Sequence, residues 1–294
     1  MELTTPPWRR ERPKQFPGLP AWSLPAEVRR DEKFDADLFA QVDPEWAWGG
    51  ADGAGVRVCI LDSGVDGEHP MVAPIDQAWQ VVTDDNGNPR IEECEPRDSA
   101  GHGTACAGII RSIAPQASLS SVKVLSDGKY GTGGALIAGL EFAVEMGFDL
   151  INMSLSTAKP QYQQPLSRLA DRAYFRRCVL VVAAHNLPVV SFPWNFASVI
   201  SVASHDESDP MRYYYNATPP VDFHARGVRV PVARPGGGQI RSTGNSFAAP
   251  HLIGIAALTI SKHRWLTPFQ LKSVLYQCAA NVAPLPEGIG RHVS

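Results

Sequence analysis

With 294 residues, 44% of them hydrophobic and 19% charged, the chain has apolar mass for one large core or two modest ones. A net charge of −3 gives no reason to expect nucleic acid or a membrane surface as partner, and no apolar run approaches the roughly eighteen residues of a membrane span. The five cysteines are odd in number and show no CxxC spacing, which argues against a disulfide framework and against zinc; without an apolar stretch after the early arginines, a cytoplasmic location is expected.

Residues 1–42 open rich in Pro, Trp and Arg without periodicity and are expected to form an irregular arm. From Ala51 short apolar runs begin, and Val56–Leu61, Leu119–Leu125, Leu150–Leu155, Val179–Ala184 and Ser198–Ser204 look like buried strands. Between them, 134–147 and 165–178 carry apolar residues at helical spacing. This alternation predicts an α/β fold: a doubly wound, mostly parallel central sheet with helices on both faces, in one domain. The acidic stretch Thr83–Ser99 is expected to be a solvated hairpin turned at Asn86-Gly87. Thr267 and Pro268 mark the start of a late helix, and 283–294 read as a loose tail, leaving 43–282 as the folded domain.

Four polar residues stand where such a sheet collects chemistry. Asp62 ends the first strand, and the carboxyl edge of an open parallel sheet is where ligands gather. His102 lies between two glycines at the start of a small-residue helix, Asn186 follows the strand "VVAA", and Ser246 begins a long apolar helix in "TGNSFAAPH". Singly, each has an ordinary reading as a cap, a turn residue or an incidental histidine. A serine hydroxyl needs a base, an orienting carboxylate and an oxyanion donor before it becomes a nucleophile.

Together, D-S-G, G-H-G-T, I-N-M-S-L, A-A-x-N and G-x-S-F-A-A-P-H occur in an order that closely resembles the subtilisin-like serine proteases, over roughly Asp43 to Val282. The resemblance implies a serine endopeptidase working through an acyl-enzyme, with Ser246 as nucleophile, His102 as base and then acid, Asp62 fixing the imidazole, and Asn186 donating to the oxyanion. It also implies an extended polypeptide substrate lying against Ser154, Leu155, Ser156 and the glycine-rich segment with Gly131 and Gly133. No cofactor or metal is expected. The short run from the His102 helix into the next strand leaves no space for the calcium loop of secreted relatives. An α/β-hydrolase elbow is a poor rival, because the only acid and histidine after Ser246 in that order, Glu287 and His292, fall in the tail.

The departures from the family fall on the groove. His185 stands where the family has Gly, and Ser156-Thr157 replace two glycines, so a narrowed pocket for the residue before the cut is expected. His185 either adds a preference for polar or acidic groups there or turns away. Asn245 replaces the usual Thr before the serine, with little effect expected on mechanism. Cys106 matches a subgroup with a thiol near the histidine, so mercurials are expected to inhibit. An intracellular processing role follows from the apparent lack of space for a pro-domain. Two other outcomes use the same groove: a peptide ligase or macrocyclase, and an inactive peptide-binding protein.

Overall fold

Continuous runs of β-branched and aliphatic residues make strands that are buried on both faces, and such strands pair in parallel only when helices cover the sheet. The structure, a computed structural model, describes residues 42–125 and 131–282, so the expected arm and tail lie outside the described residues but for Val42. Nine strands form the main sheet: β1 (Arg57–Asp62), β2 (Gln77–Thr83), β3 (Pro89–Glu93), β4 (Ser118–Lys123), β5 (Leu150–Met153), β6 (Val179–Ala183), β7 (Ile200–His205), β8 (Tyr213–Tyr215) and β9 (Phe223–Arg226). Their order is β3-β2-β4-β1-β5-β6-β7-β9-β8. The six pairings from β2 through β9 are parallel, and only the edge pairs β2–β3 and β8–β9 are antiparallel. A separate ribbon pairs β10 (Val230–Ala233) with β11 (Gln239–Ser242).

Among the described residues the α-helices are α1 (Pro44–Trp48), α2 (His102–Ile113), α3 (Gly133–Glu145), α4 (Gln163–Phe175), α5 (Asn245–Lys262) and α6 (Pro268–Gln277). Alternate residues of the strands, Cys59, Leu61, Ile151, Met153, Leu180 and Val182, join Leu136, Leu140 of α3 and Leu166, Ala170 of α4 in one core cluster. The helices α2 and α5 pack together, and Ala105 and Ile109 of α2 share a second cluster with Phe247, Val230 and Val232. The expected fold class is therefore present. The hairpin also forms, as β2–β3, with Gly87 at φ 83° and Asp84 Oδ1 accepting from Asn86 N at 2.9 Å and Asn88 N at 2.8 Å. Thr267 caps α6 in a capping box with Gln270.

The strands β2 and β8 to β11 escape the apolar-run criterion, since they are only partly buried or too short to show a period. Their pairing comes from the sheet itself.

Candidate active site

Asp62 closes β1 and is completely buried, while His102 opens α2. The imidazole Nδ1 lies 2.8 Å from Asp62 Oδ1 and 2.9 Å from Oδ2. A carboxylate oxygen accepts, so Nδ1 carries the hydrogen and Nε2 is the ring nitrogen with the basic lone pair. Asp62 Oδ1 also accepts from Ser63 N at 2.8 Å, which fixes the carboxylate before the imidazole meets it.

The glycines of D-S-G and G-H-G are needed because the two segments touch through their backbones. A Cβ on Gly103 would sit 2.0 Å from Gly64 O, and one on Gly64, itself at φ 98°, would sit 2.2 Å from Arg97 O. Asp98, missed in the sequence, holds this junction. Its Oδ1 accepts from Ser63 Oγ at 2.9 Å, Ala100 N at 2.9 Å and Gly101 N at 2.8 Å, and its Oδ2 from Thr104 N at 2.9 Å and Thr104 Oγ1 at 2.6 Å. A carboxylate collecting the first amides of a helix stabilises that end against the dipole. The signal was present as an Asp four residues before the His, but it lay in a stretch read as a solvated acidic hairpin.

Ser246 is the second residue of α5 and half-buried, next to the oxyanion candidate. Asn186 Oδ1 accepts from Asn245 N at 2.9 Å, which leaves the exposed Asn186 amide NH₂ as the donor on this side. Asn245 does more than its small size suggested. Its Oδ1 accepts from Ser204 N at 2.9 Å, and its Nδ2 donates to Ala184 O at 3.2 Å and His185 O at 3.3 Å. One side chain thereby ties the start of α5 to the ends of β6 and β7.

Pro250 lies inside α5 and has no N–H, so the Ser246 carbonyl lacks the donor four residues on. The Ser154 hydroxyl takes that place, donating to Ser246 O at 2.8 Å, and the Cys106 thiol adds a longer contact at 3.5 Å. Asn152 Nδ2 donates to Ser154 Oγ at 3.2 Å, and Ser246 Oγ lies 3.4 Å from Ser154 O. Ser154 thus presents its carbonyl to the groove, while its buried hydroxyl is a structural tie. Cys106, Asp62 and His102 have ligand atoms within 4.8 Å of one another. Burial pushes the Cys106 thiol well above its ordinary range, and the carboxylate is taken by the imidazole, so the trio is poorly suited to a cation.

His102, Asn186 and Ser246 line one groove of about 630 Å³, with Gly131, Gly133, Ser154, Leu155, Ser156 and His185 also on its walls. Lys129 and Tyr130 of the glycine-rich segment lie outside the described residues. Gly133 accommodates the Tyr162 ring, whose carbon atoms would stand 2.0–2.4 Å from a Cβ there. The His185 ring folds onto its own loop, with Nδ1 3.0 Å from Leu187 N. Thr157 and Phe192 exchange backbone hydrogen bonds at 3.0 and 2.9 Å next to Ser156.

A parallel sheet with a buried Asp–His pair and a serine at a helix start defines a serine protease of the doubly wound class. The chain belongs to the subtilase family, whose model matches residues 53–290, and it is a serine endopeptidase. It is 31% identical to Subtilisin DY of Bacillus licheniformis over 248 residues, covering 79% of this chain and 86% of that protein. Identity to Subtilisin E of Bacillus subtilis (strain 168) is 32% over 245 residues, 78% of this chain and 62% of that protein's length. An intracellular serine protease of Paenibacillus polymyxa is 31% identical over 228 residues, 72% of this chain and 68% of that protein. Among solved structures, Sphericase superimposes with a TM-score of 0.66 at 23% identity, over 83% of this chain and 91% of that one.

Proposed function

We propose that Ser246, His102 and Asp62 form the catalytic triad of this endopeptidase and that Asn186 serves its oxyanion. The observation that carries the assignment is the buried Asp62 carboxylate held on His102 Nδ1 at 2.8 Å, at the same groove as Ser246. In this reading Ser246 Oγ attacks the scissile carbonyl carbon as its proton passes to His102 Nε2. The new C–O bond leaves a negative oxygen, which the Asn186 NH₂ and the Ser246 N–H meet in a site fixed beforehand by Asn245. The C–N bond then breaks as the imidazolium returns the proton to the leaving amine. Water attacks the acyl ester in turn, giving its proton to His102, and Ser246 leaves re-protonated. Asp62 orients the ring and stabilises its charged form throughout.

The substrate is a polypeptide, extended along Ser154–Ser156 and the Gly131–Gly133 edge, both of which line the groove. A role in processing peptides inside the cell is supported by the likeness to the Paenibacillus protein, named an intracellular protease. Among the described residues no helix is long and apolar enough to cross a membrane. A fluorophosphonate probe is expected to label Ser246, with labelling and peptide hydrolysis both abolished in Ser246→Ala and His102→Ala. Labelling at another serine, or hydrolysis surviving in Ser246→Ala, overturns the assignment.

A further inference from the structure

Beside Ser246, the groove is lined by Ser154–Thr157 and Ala183–Leu187, and Thr157 is bridged to Phe192. With a scissile carbonyl at Ser246 and its oxygen toward Asn186, the side chain of the residue before the cut enters between these walls. A chain of hydrogen bonds runs from Trp194 through Ser191 to Ser156. Trp194 Nε1 donates to Ser191 Oγ at 2.8 Å, and an indole N–H is only a donor. Ser191 is completely buried, so its own hydrogen needs an acceptor, and its partner is Ser156 Oγ at 3.2 Å. Ser156 therefore receives a hydrogen bond and has its own hydroxyl hydrogen left to give. Ser156 lines the groove, where that hydrogen meets an incoming side chain.

The charge points the same way. Lys159 lies on the groove wall, and among the described residues no carboxylate pairs with it and no Asp or Glu lines the groove. Ser156 is half-buried and Lys159 exposed, so an acceptor that meets them gains a hydrogen bond and a favourable charge, while an apolar side chain gains neither.

We infer that Ser156, polarised by Ser191 and Trp194, and Lys159 make this endopeptidase select substrates with an acceptor-bearing residue before the cut: Asp or Glu first, Asn or Gln second. The inference rests on the proposed triad and groove and names the substrate class that they act on. Trp194 and Ser191 are positioning residues, acting through the hydroxyl they orient.

The test is cleavage of a peptide series differing only at that residue, with Ala as internal reference. The wild type is expected to favour Asp and Glu over Leu and Phe by about 10-fold or more in kcat/KM. Ser156→Ala should lower kcat/KM for all four acceptor residues by about 10-fold relative to Ala. Lys159→Gln should lower it for Asp and Glu while leaving Asn and Gln within about 2-fold, since a neutral acceptor gains little from a distant charge. Trp194→Phe, which removes only the donor, should move the ratios in the direction of Ser156→Ala. A leading preference for Phe or Leu, or equal change across the series in Ser156→Ala, overturns the inference. Fluorophosphonate labelling of each variant separates the two levels. Labelled Ser246 without acceptor selectivity sinks this inference alone, whereas absence of labelling in the wild type sinks the triad.

Discussion

The junction between Ser154 and α5 predicts a specific pattern of loss and repair. Ser154 is 7% exposed, and its hydroxyl satisfies Ser246 O, the carbonyl that Pro250 leaves without a helical donor. In Ser154→Ala this carbonyl keeps only the long thiol contact at 3.5 Å, and Asn152 Nδ2 loses the acceptor it held at 3.2 Å. Asn152 Oδ1 is already buried without a partner, so the amide cannot simply rotate to recover. Two buried groups that each lose a hydrogen-bond partner cost about 1–3 kcal/mol each, so roughly 2–6 kcal/mol is expected in denaturant unfolding, measured in a Ser246→Ala background that prevents self-digestion. Displacing the start of α5 by about 1 Å would also lower kcat by about 10²-fold in the active enzyme. Pro250→Ala returns an amide four residues after Ser246 and should restore about 1–2 kcal/mol in the double variant, a coupling that a double-mutant cycle reads directly. A Ser154→Ala loss under about 0.5 kcal/mol, or strict additivity with Pro250→Ala, refutes the reasoning.

Arg111 gathers the carbonyls of Val72 at 3.1 Å, Pro74 at 2.7 Å, Pro115 at 2.8 Å and Ala117 at 2.7 Å, the work a bound cation would do at the junction of α2 and β4. Arg111→Met should therefore cost about 2–4 kcal/mol in unfolding, and Arg111→Lys should recover less than half, because an ammonium lacks the planar fork. His251 is buried, and burial lowers its pKa to about 4, below the 6.5 of an exposed imidazole. The unfolded chain thus takes up a proton that the folded one refuses as pH falls from 6.5 toward 4. Its share of stability, about 3 kcal/mol, is full above that window and lost through it; His251→Gln should flatten the pH dependence of unfolding by that amount. Cys106 is completely buried and its thiol raised well above the ordinary range, so iodoacetamide at neutral pH should leave it unmodified in the native protein and label it only after unfolding, read by mass spectrometry. On the proposed oxyanion role, Asn186→Leu should cost about 10²–10³ in kcat with KM nearly unchanged, because an amide in that role serves a charge that exists only in the transition state.

The amino-acid sequence alone determined the buried parallel strands, the helices with a strong apolar period and the four motif residues Asp62, His102, Asn186 and Ser246. Each is encoded locally: a run of aliphatics has only one stable use, and a polar residue at the end of such a run stands at the edge of a sheet. The partly buried strands β2 and β8 to β11 carry no such local mark and exist because a neighbour supplies the ladder. The supports of the site were hidden for the same reason. Asp98 collects donors from four residues, Ser154 repairs a carbonyl broken by a proline 96 positions later, and Asn245 joins the ends of two strands. Hydrogen bonds between segments far apart in the chain depend on distance and direction, and only the folded backbone sets those. Motif spelling could name the candidate groups, whereas tertiary packing decided which atoms hold them still.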